Sequence, residues 1–239
     1  MFFLFSFSKD SIFYVYDRAD GSFLYARPAA YQNVILSYDG VSGAFTTEPG
    51  AIMLAEEGRE RTISRENRQI PQGAYGPLTN AYYEPAFNGL CSVMSMRSAE
   101  PTLETGYNTT YSAAVTSSTP QLGQSEAIDV TAGKTLWRLE RETPLYGMLT
   151  TGAGLLFAAD ANRRFHAIDQ WARETLWQAI FKWASDMAPI SFVVEGRQFV
   201  ALIAPSGTQA AAQCAGQLRL SSLIGLHNVG HTMFVYALQ

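Results

Sequence analysis

The feature that most constrains this chain is a segment written twice. Ala127-Ile128-Asp129 is followed by Gly133 four residues after the Asp and by Trp137 eight after it. Forty residues on, Ala167-Ile168-Asp169 is followed by Trp177 at the same offset, with Leu136 and Leu176 also in register. A weaker copy stands near the start: Tyr14-Val15-Tyr16-Asp17, then Gly21, Leu24 and Tyr25, with Tyr in place of Trp. A unit of about 40 residues is the period of propeller blades, although helical-pair repeats share it. In the first and third of these, Ala127–Trp137 and Tyr14–Tyr25, an Asp that can bond the following backbone and a Gly that tolerates positive φ bracket a tight turn.

The rest of the chain favours strands. Ile12–Tyr16 is rich in β-branched and aromatic residues, Asp17–Gly21 supplies a turn, and Ser22–Tyr25 returns. Ser125–Asp129, Thr135–Leu139, Leu149–Thr151, Leu155–Ala159 and Phe165–Asp169 read as further strands, with Gly152-Ala153-Gly154 and Asp160–Arg164 as turns. Val193–Ala201 reads as a hairpin around Gly196, and Met233–Leu238 as a terminal strand. Strands of about five residues with turns every eight to twelve predict an all-β architecture, a sandwich, barrel or propeller. Between Gly73 and Met96 the pattern is turn, strand, turn, strand, with the second turn at Pro85–Gly89 and a strand from Leu90.

Three stretches read differently. Residues 29–70 form a long surface excursion with room for a short helix around 53–61, 97–123 is a loop rich in Ser, Thr, Gly and Pro, and 209–217 is a loop. Met1–Lys9 has no basic leader and no small-residue cleavage site, so a buried strand is expected there rather than a signal peptide. It is also too short to span a membrane. Glu174–Met187 spaces Leu176, Trp177, Ile180, Phe181, Ala184 and Met187 as a helix face would. The match of Leu176-Trp177 to Leu136-Trp137 argues for strand, and the repeat decides.

Composition excludes some functions. Charged residues are only 16 % and the net charge is −4, so nucleic-acid backbone binding is disfavoured. The aromatic load of 14 Phe, 12 Tyr and 4 Trp suits blades, whose hairpin-end aromatics can dock on a neighbouring sheet. Cys91 and Cys214 are far apart and have no metal-ligand spacing. His166, His227 and His231 are isolated; the last two have i, i+4 spacing without an intervening Glu, and surface histidines are the better reading near a C-terminal strand. No Gly-x-Ser-x-Gly elbow and no heme-attachment Cys-x-x-Cys-His is present. Asn108-Thr109-Thr110 matches the N-glycosylation pattern.

Phe13–Gly21, Ala127–Trp137, Leu149–Phe157 and Ala188–Ala201 resemble, in order and spacing, motifs of the pyrroloquinoline quinone (PQQ)-dependent alcohol and methanol dehydrogenases. The resemblance covers most of the chain except 29–70 and 205–228. It implies a β-propeller of PQQ-repeat blades. Residues 1–239 would be about half of the eight-bladed family propeller, its C-terminal blades, with loop excursions near 29–70 and 205–228. It implies a quinoprotein oxidoreductase acting on a small-molecule alcohol, with PQQ as cofactor, calcium in the complete protein, a cytochrome-type acceptor and a periplasmic location. The family segments that carry the metal ligands and the catalytic base precede this part, so a missing N-terminal half is implied and no catalytic or metal residue is expected here.

Three residues are candidate cofactor contacts by that resemblance. Lys9, just before Asp10–Tyr14, stands where the family places a cation against the quinone oxygens. Tyr146-Gly147-Met148 aligns with a family Trp-Gly-Gly, so an aromatic is kept and the indole lost. The family's Asn-Trp pair has no clean match in Gly73–Asn80, so no role passes to Asn80. These departures leave a second reading open, a non-catalytic propeller that serves as a scaffold.

Overall fold

Short β-branched and aromatic runs alternate with Asp- and Gly-bearing turns, and the chain folds as strand after strand. The computed structural model describes residues 3–7, 11–30, 32–39, 42–49, 60–64, 72–87, 90–96, 109–115, 121, 123–160, 162–181, 185, 187–204 and 231–238. No α-helix occurs among the described residues. The chain divides into two compact units, residues 1–68 with 87–119, and residues 69–86 with 120–239.

In the first unit, Phe3–Phe7 (β1), Ile12–Asp17 (β2) and Phe23–Pro28 (β3) form one antiparallel sheet in that order. Ile12, Phe13 and Val15 are fully buried, and Phe5 stacks on Phe13 at 5.7 Å. Ile35–Tyr38 (β4) and Phe45–Thr47 (β5) make a hairpin. Glu60–Ser64 (β6) follows in the sequence and belongs to a second sheet. The expected N-terminal strand is present as β1, but it lies at the edge of its sheet. Only Phe7 of its residues is buried, and Leu4 is 53 % exposed.

Ala74–Gly76 (β7) and Ala81–Phe87 (β8) belong mainly to the second unit, and Leu90–Met96 (β9) and Thr109–Val115 (β10) to the first. The second sheet of the first unit has the order β10-β9-β6. Two expectations need correction here. The turn placed at Pro85–Gly89 begins later, because β8 runs on through Phe87. Pro85 is tolerated in that strand because β7 is only three residues long and pairs with Ala81–Tyr83, short of the proline. The expected loop over 97–123 contains β10, where Thr109, Thr110, Tyr111 and Val115 are good strand formers. The helix considered at 53–61 and the loop at 209–217 lie largely outside the described residues, although Glu60 and Arg61 are strand.

The second unit continues with Gly123–Asp129 (β11), Thr135–Arg141 (β12), Leu145–Thr150 (β13), Leu155–Asp160 (β14), Arg164–Asp169 (β15) and Thr175–Ile180 (β16). It ends with Ile190–Val194 (β17), Arg197–Ala204 (β18) and Thr232–Ala237 (β19). Its sheets have the orders β12-β11-β8-β7, β13-β14-β15-β16 and β17-β18-β19. The contested Leu176-Trp177 segment is strand, as the repeat required. One core holds Tyr83, Ala127, Leu145, Leu156 and Ile168 between the first two sheets. Another holds Phe157, Phe165, Phe181, Val200 and Leu202 between the last two. Each middle strand is therefore apolar on both faces, which explains continuous runs such as Leu-Leu-Phe-Ala-Ala. The sheets are propeller blades.

Candidate functional site

The three copies of the repeat fold to one hairpin with one register. Ala127 lies opposite Trp137, Ala167 opposite Trp177 and Val15 opposite Tyr25, and in each case the ladder shifts at the next residue. The turns are held alike. Asp129 Oδ1 accepts from the N–H of Thr131 at 2.8 Å and of Ala132 at 2.9 Å, and Asp169 Oδ1 from those of Trp171 and Ala172 at 2.8 and 2.6 Å. In the first copy Asp17 Oδ1 accepts from Ala19 at 2.8 Å. The fourth residue after the Asp has positive φ each time: Gly21 at 75°, Gly133 at 66° and Arg173 at 58°. The same turn closes β4–β5, from Asp39 to Gly43 at φ 73°. The sequence reading passed over that fourth turn because Thr47 stands where the others carry an aromatic.

Both tryptophans dock on the following sheet. The indole N–H of Trp137 donates to the carbonyl of Gln170 at 2.8 Å, and its ring lies 5.6 Å from Tyr83. Trp177 meets Tyr236 edge-on at 4.9 Å. Gln170, buried, was not singled out by the sequence. Its side-chain amide donates to the Leu155 carbonyl at 2.9 Å, and its oxygen faces the Tyr83 hydroxyl at 3.3 Å. Burial raises the pKa of that hydroxyl, against a smaller lowering by the hydrogen bond to Thr79. Asn80, at φ 50°, ties β7–β8 to the β11–β12 turn through Thr131 Oγ1 at 2.9 Å.

Lys9 lies outside the described residues. Tyr146 and Gly147 sit on β13, where the β13–β14 ladder shifts between Tyr146 and Met148. Tyr146 is 1 % exposed. A Cβ on Gly147 would stand 2.4 Å from Ala188 Cα and 2.5 Å from its nitrogen, so the glycine permits close approach of two backbones. Met148 N donates to the Gln72 carbonyl at 2.7 Å, on the other side of the same junction. The Tyr146 ring is covered, and the space beside Gly147 is filled by the backbone of Ala188. An apolar cleft of about 350 Å³ opens nearby, lined by Gln72, Met187, Ala188, Ile190, Ile203 and Met233 among others, without Tyr146 or Gly147.

Sequence reasoning also passed over a buried polar group. His166, isolated in sequence, is 1 % exposed, and its Nε2 lies 2.9 Å from Asp160 Oδ2. Arg141 reaches across from β12, with Nη1 at 3.4 Å from His166 Nε2 and Nη2 donating to Thr175 Oγ1 at 2.8 Å. Burial lowers the Arg141 pKa, and the Asp160 carboxylate opposes that shift. The cluster links β12 to β14, β15 and β16 through buried polar contacts. The alternation of β15 could have flagged it, since a His inside Phe-His-Ala-Ile needs a buried partner. His231 is exposed and His227 lies outside the described residues. Among the described residues no three His, Cys, Asp or Glu are grouped to hold a metal ion, and no helix is long and apolar enough to cross a membrane.

Blade-like sheets joined by Asp-turn hairpins with docking tryptophans define a propeller-type protein. No family model matches the chain. It is 29 % identical over 215 residues to the quinohemoprotein alcohol dehydrogenase of Comamonas testosteroni, which covers 81 % of this chain and 29 % of that protein. It is 26 % identical over 204 residues to the 1-butanol dehydrogenase (cytochrome c) of Thauera butanivorans, covering 81 % and 29 % respectively. Its fold superposes with a TM-score of 0.83 on a europium-containing methanol dehydrogenase, at 21 % identity, over 99 % of this chain and 45 % of that one. The resemblance to PQQ-dependent alcohol dehydrogenases carried by the motifs is thus present in sequence and in fold. The chain spans less than a third of the length of these curated relatives.

Proposed function

We propose that the chain is the C-terminal blade set of an alcohol dehydrogenase-like quinoprotein, which oxidises a primary alcohol or similar substrate when complete and is inactive alone. The observation that carries this reading is the one hairpin, in one register, recurring inside a chain whose motifs keep the family's order. PQQ, bound with calcium in the complete protein, would accept hydride from the alcohol. Lys9, which stands in sequence where the family has a cation, is the candidate for direct contact with the cofactor; an ammonium there would stabilise negative charge on the quinone oxygens. Tyr146 and Gly147, which stand where the family carries Trp-Gly-Gly, are the other two candidate cofactor contacts, and Gly147 also lets β13 come close to the backbone of Ala188. A cytochrome-type acceptor and a periplasmic setting belong to the same reading.

The test is dye-linked alcohol oxidation by the purified chain with added PQQ and Ca²⁺. No alcohol-dependent dye reduction is expected. Turnover by this chain alone would overturn the reading that the catalytic groups lie elsewhere. A second reading, a non-catalytic propeller scaffold, is favoured by Tyr146 in place of the family's Trp and by the absence of the Asn-Trp pair from Gly73–Asn80. Upstream coding sequence that contains blades with intact metal ligands and a base Asp would eliminate the scaffold reading.

A further inference from the structure

The three repeat hairpins end on β3, β12 and β16, and each of these strands is the edge of its sheet. An edge strand leaves a row of backbone N–H and C=O groups without a ladder partner, and charge or proline commonly blunts it. β3 carries Arg27 and Pro28 after its aromatic, and β12 carries Arg138, Glu140 and Arg141. β16 keeps the docking tryptophan but follows it with Gln178, Ala179 and Ile180, so none of its six residues is charged or proline. Leu176 and Ile180 are 58 % and 69 % exposed, and Gln178 is exposed beside them. The Phe181 N–H donates to the Arg163 carbonyl at 2.7 Å, toward β15. Alternation along the antiparallel ladder then turns the backbone N–H and C=O of Gln178 and Ile180 away from β15.

Blades pack face to face, and radial repetition leaves short edges around the rim. The opening of β16 therefore does not depend on further blades. The strand is complementary to itself. About a two-fold axis at Gln178, antiparallel pairing sets Leu176 opposite Ile180, Trp177 opposite Ala179, and Gln178 opposite its own copy. Apolar meets apolar, the largest side chain meets a small one, and the two Gln178 residues exchange backbone bonds at the centre. No like charges face each other, because the strand has none and each Glu174 falls beyond the Ile180 end of the other copy. We propose that β16 is an open edge at which two copies of the chain pair antiparallel, Gln178 against Gln178. Six residues a side bury less than the roughly 1,200 Å² of a stable interface, so the dimer is weak and concentration-dependent. This inference stands apart from the catalytic reading, since it concerns the rim of one blade.

Sedimentation equilibrium of the full 239-residue chain over roughly 1–100 μM, the range suited to an interface of this size, tests it. A monomer–dimer equilibrium is expected. Gln178→Lys and Gln178→Glu should each raise the dimer Kd at least tenfold, because like charges then meet at the axis. Their thermal unfolding midpoints should stay near that of the parent, since the side chain is exposed. Mixed in equal amounts, the two variants should form a heterodimer with a Kd close to the parent's, as Lys then faces Glu. Association through any other surface has no reason to follow this pattern. A chain that is monomeric throughout, a dimer that survives Gln178→Lys, or a mixture that dimerises no better than either variant alone would overturn the proposal.

Discussion

At the residue scale, the four Asp turns form a natural substitution series. Three use glycine at the position of positive φ, and the fourth uses Arg173 at 58°. An L-residue there carries a conformational cost that glycine avoids. Arg173→Gly is expected to stabilise the chain by about 0.5–1 kcal/mol, raising Tm by about 1–4 °C, as read by thermal unfolding. The guanidinium's bond to the Arg138 carbonyl, at 3.2 Å, is exposed and offsets little of this. Asp160 makes the opposite case. Removing it as Asp160→Ala leaves Arg141 and His166 without their buried carboxylate and should cost about 3 kcal/mol, with Asp160→Asn costing less, by denaturant titration. The Asn amide oxygen can still accept from the Arg164 N–H, which bonds Asp160 Oδ1 at 2.9 Å.

Tyrosines set a pH dependence at the same scale. Burial raises the pKa of Tyr38, Tyr83 and Tyr236 in the folded chain. Below the unfolded value near 10, both states hold the phenolic proton and the contribution is fully present. As pH rises through about 10, the unfolded chain releases its protons first, so stability falls. Tyr83→Phe should flatten the loss of stability measured between about pH 9 and 11, whatever its effect on the baseline.

At the element scale, Gly147 and Gln170 fix how sheets meet. Gly147→Ala drives a methyl into the Ala188 backbone and should cost about 1–3 kcal/mol. If its unfolding midpoint matches the parent, the close approach is not a constraint. Hairpins were the legible elements because their information is local: an Asp, a residue of positive φ, and an aromatic eight positions on. β10 was not legible, since its Thr- and Ser-rich stretch is a strand only in partnership with β9. Gln170 and the Asp160–His166–Arg141 cluster escaped for a related reason. Their partners come from other strands or other sheets, and single-segment patterns do not encode such distances. Of the candidate cofactor contacts, Tyr146 and Gly147 fall on a strand that begins four residues before the expected start at Leu149, and nothing in sequence signals that Ala188 occupies the space beside Gly147.

For the whole molecule, propeller ancestry was readable because sentence-length motifs survive where side-chain detail has drifted. The division into two compact units was not, because the second unit is interrupted in sequence by a piece of the first. That interruption falls inside a single sheet. β8 and β11 are neighbours in the order β12-β11-β8-β7, yet the chain builds β9 and β10 between them. The sheet β13-β14-β15-β16, by contrast, is a meander in which every pairing is between consecutive strands. Closing a long loop costs entropy before its contacts form, so local pairings set in first. Pulse-labelled hydrogen exchange during refolding should show amide protection across β14–β15 before β8 and β11; simultaneous protection would contradict this. On the ribosome, β7 and β8 must then wait, half-paired, until more than thirty further residues have emerged, while the sheet made after them assembles as fast as it is synthesised.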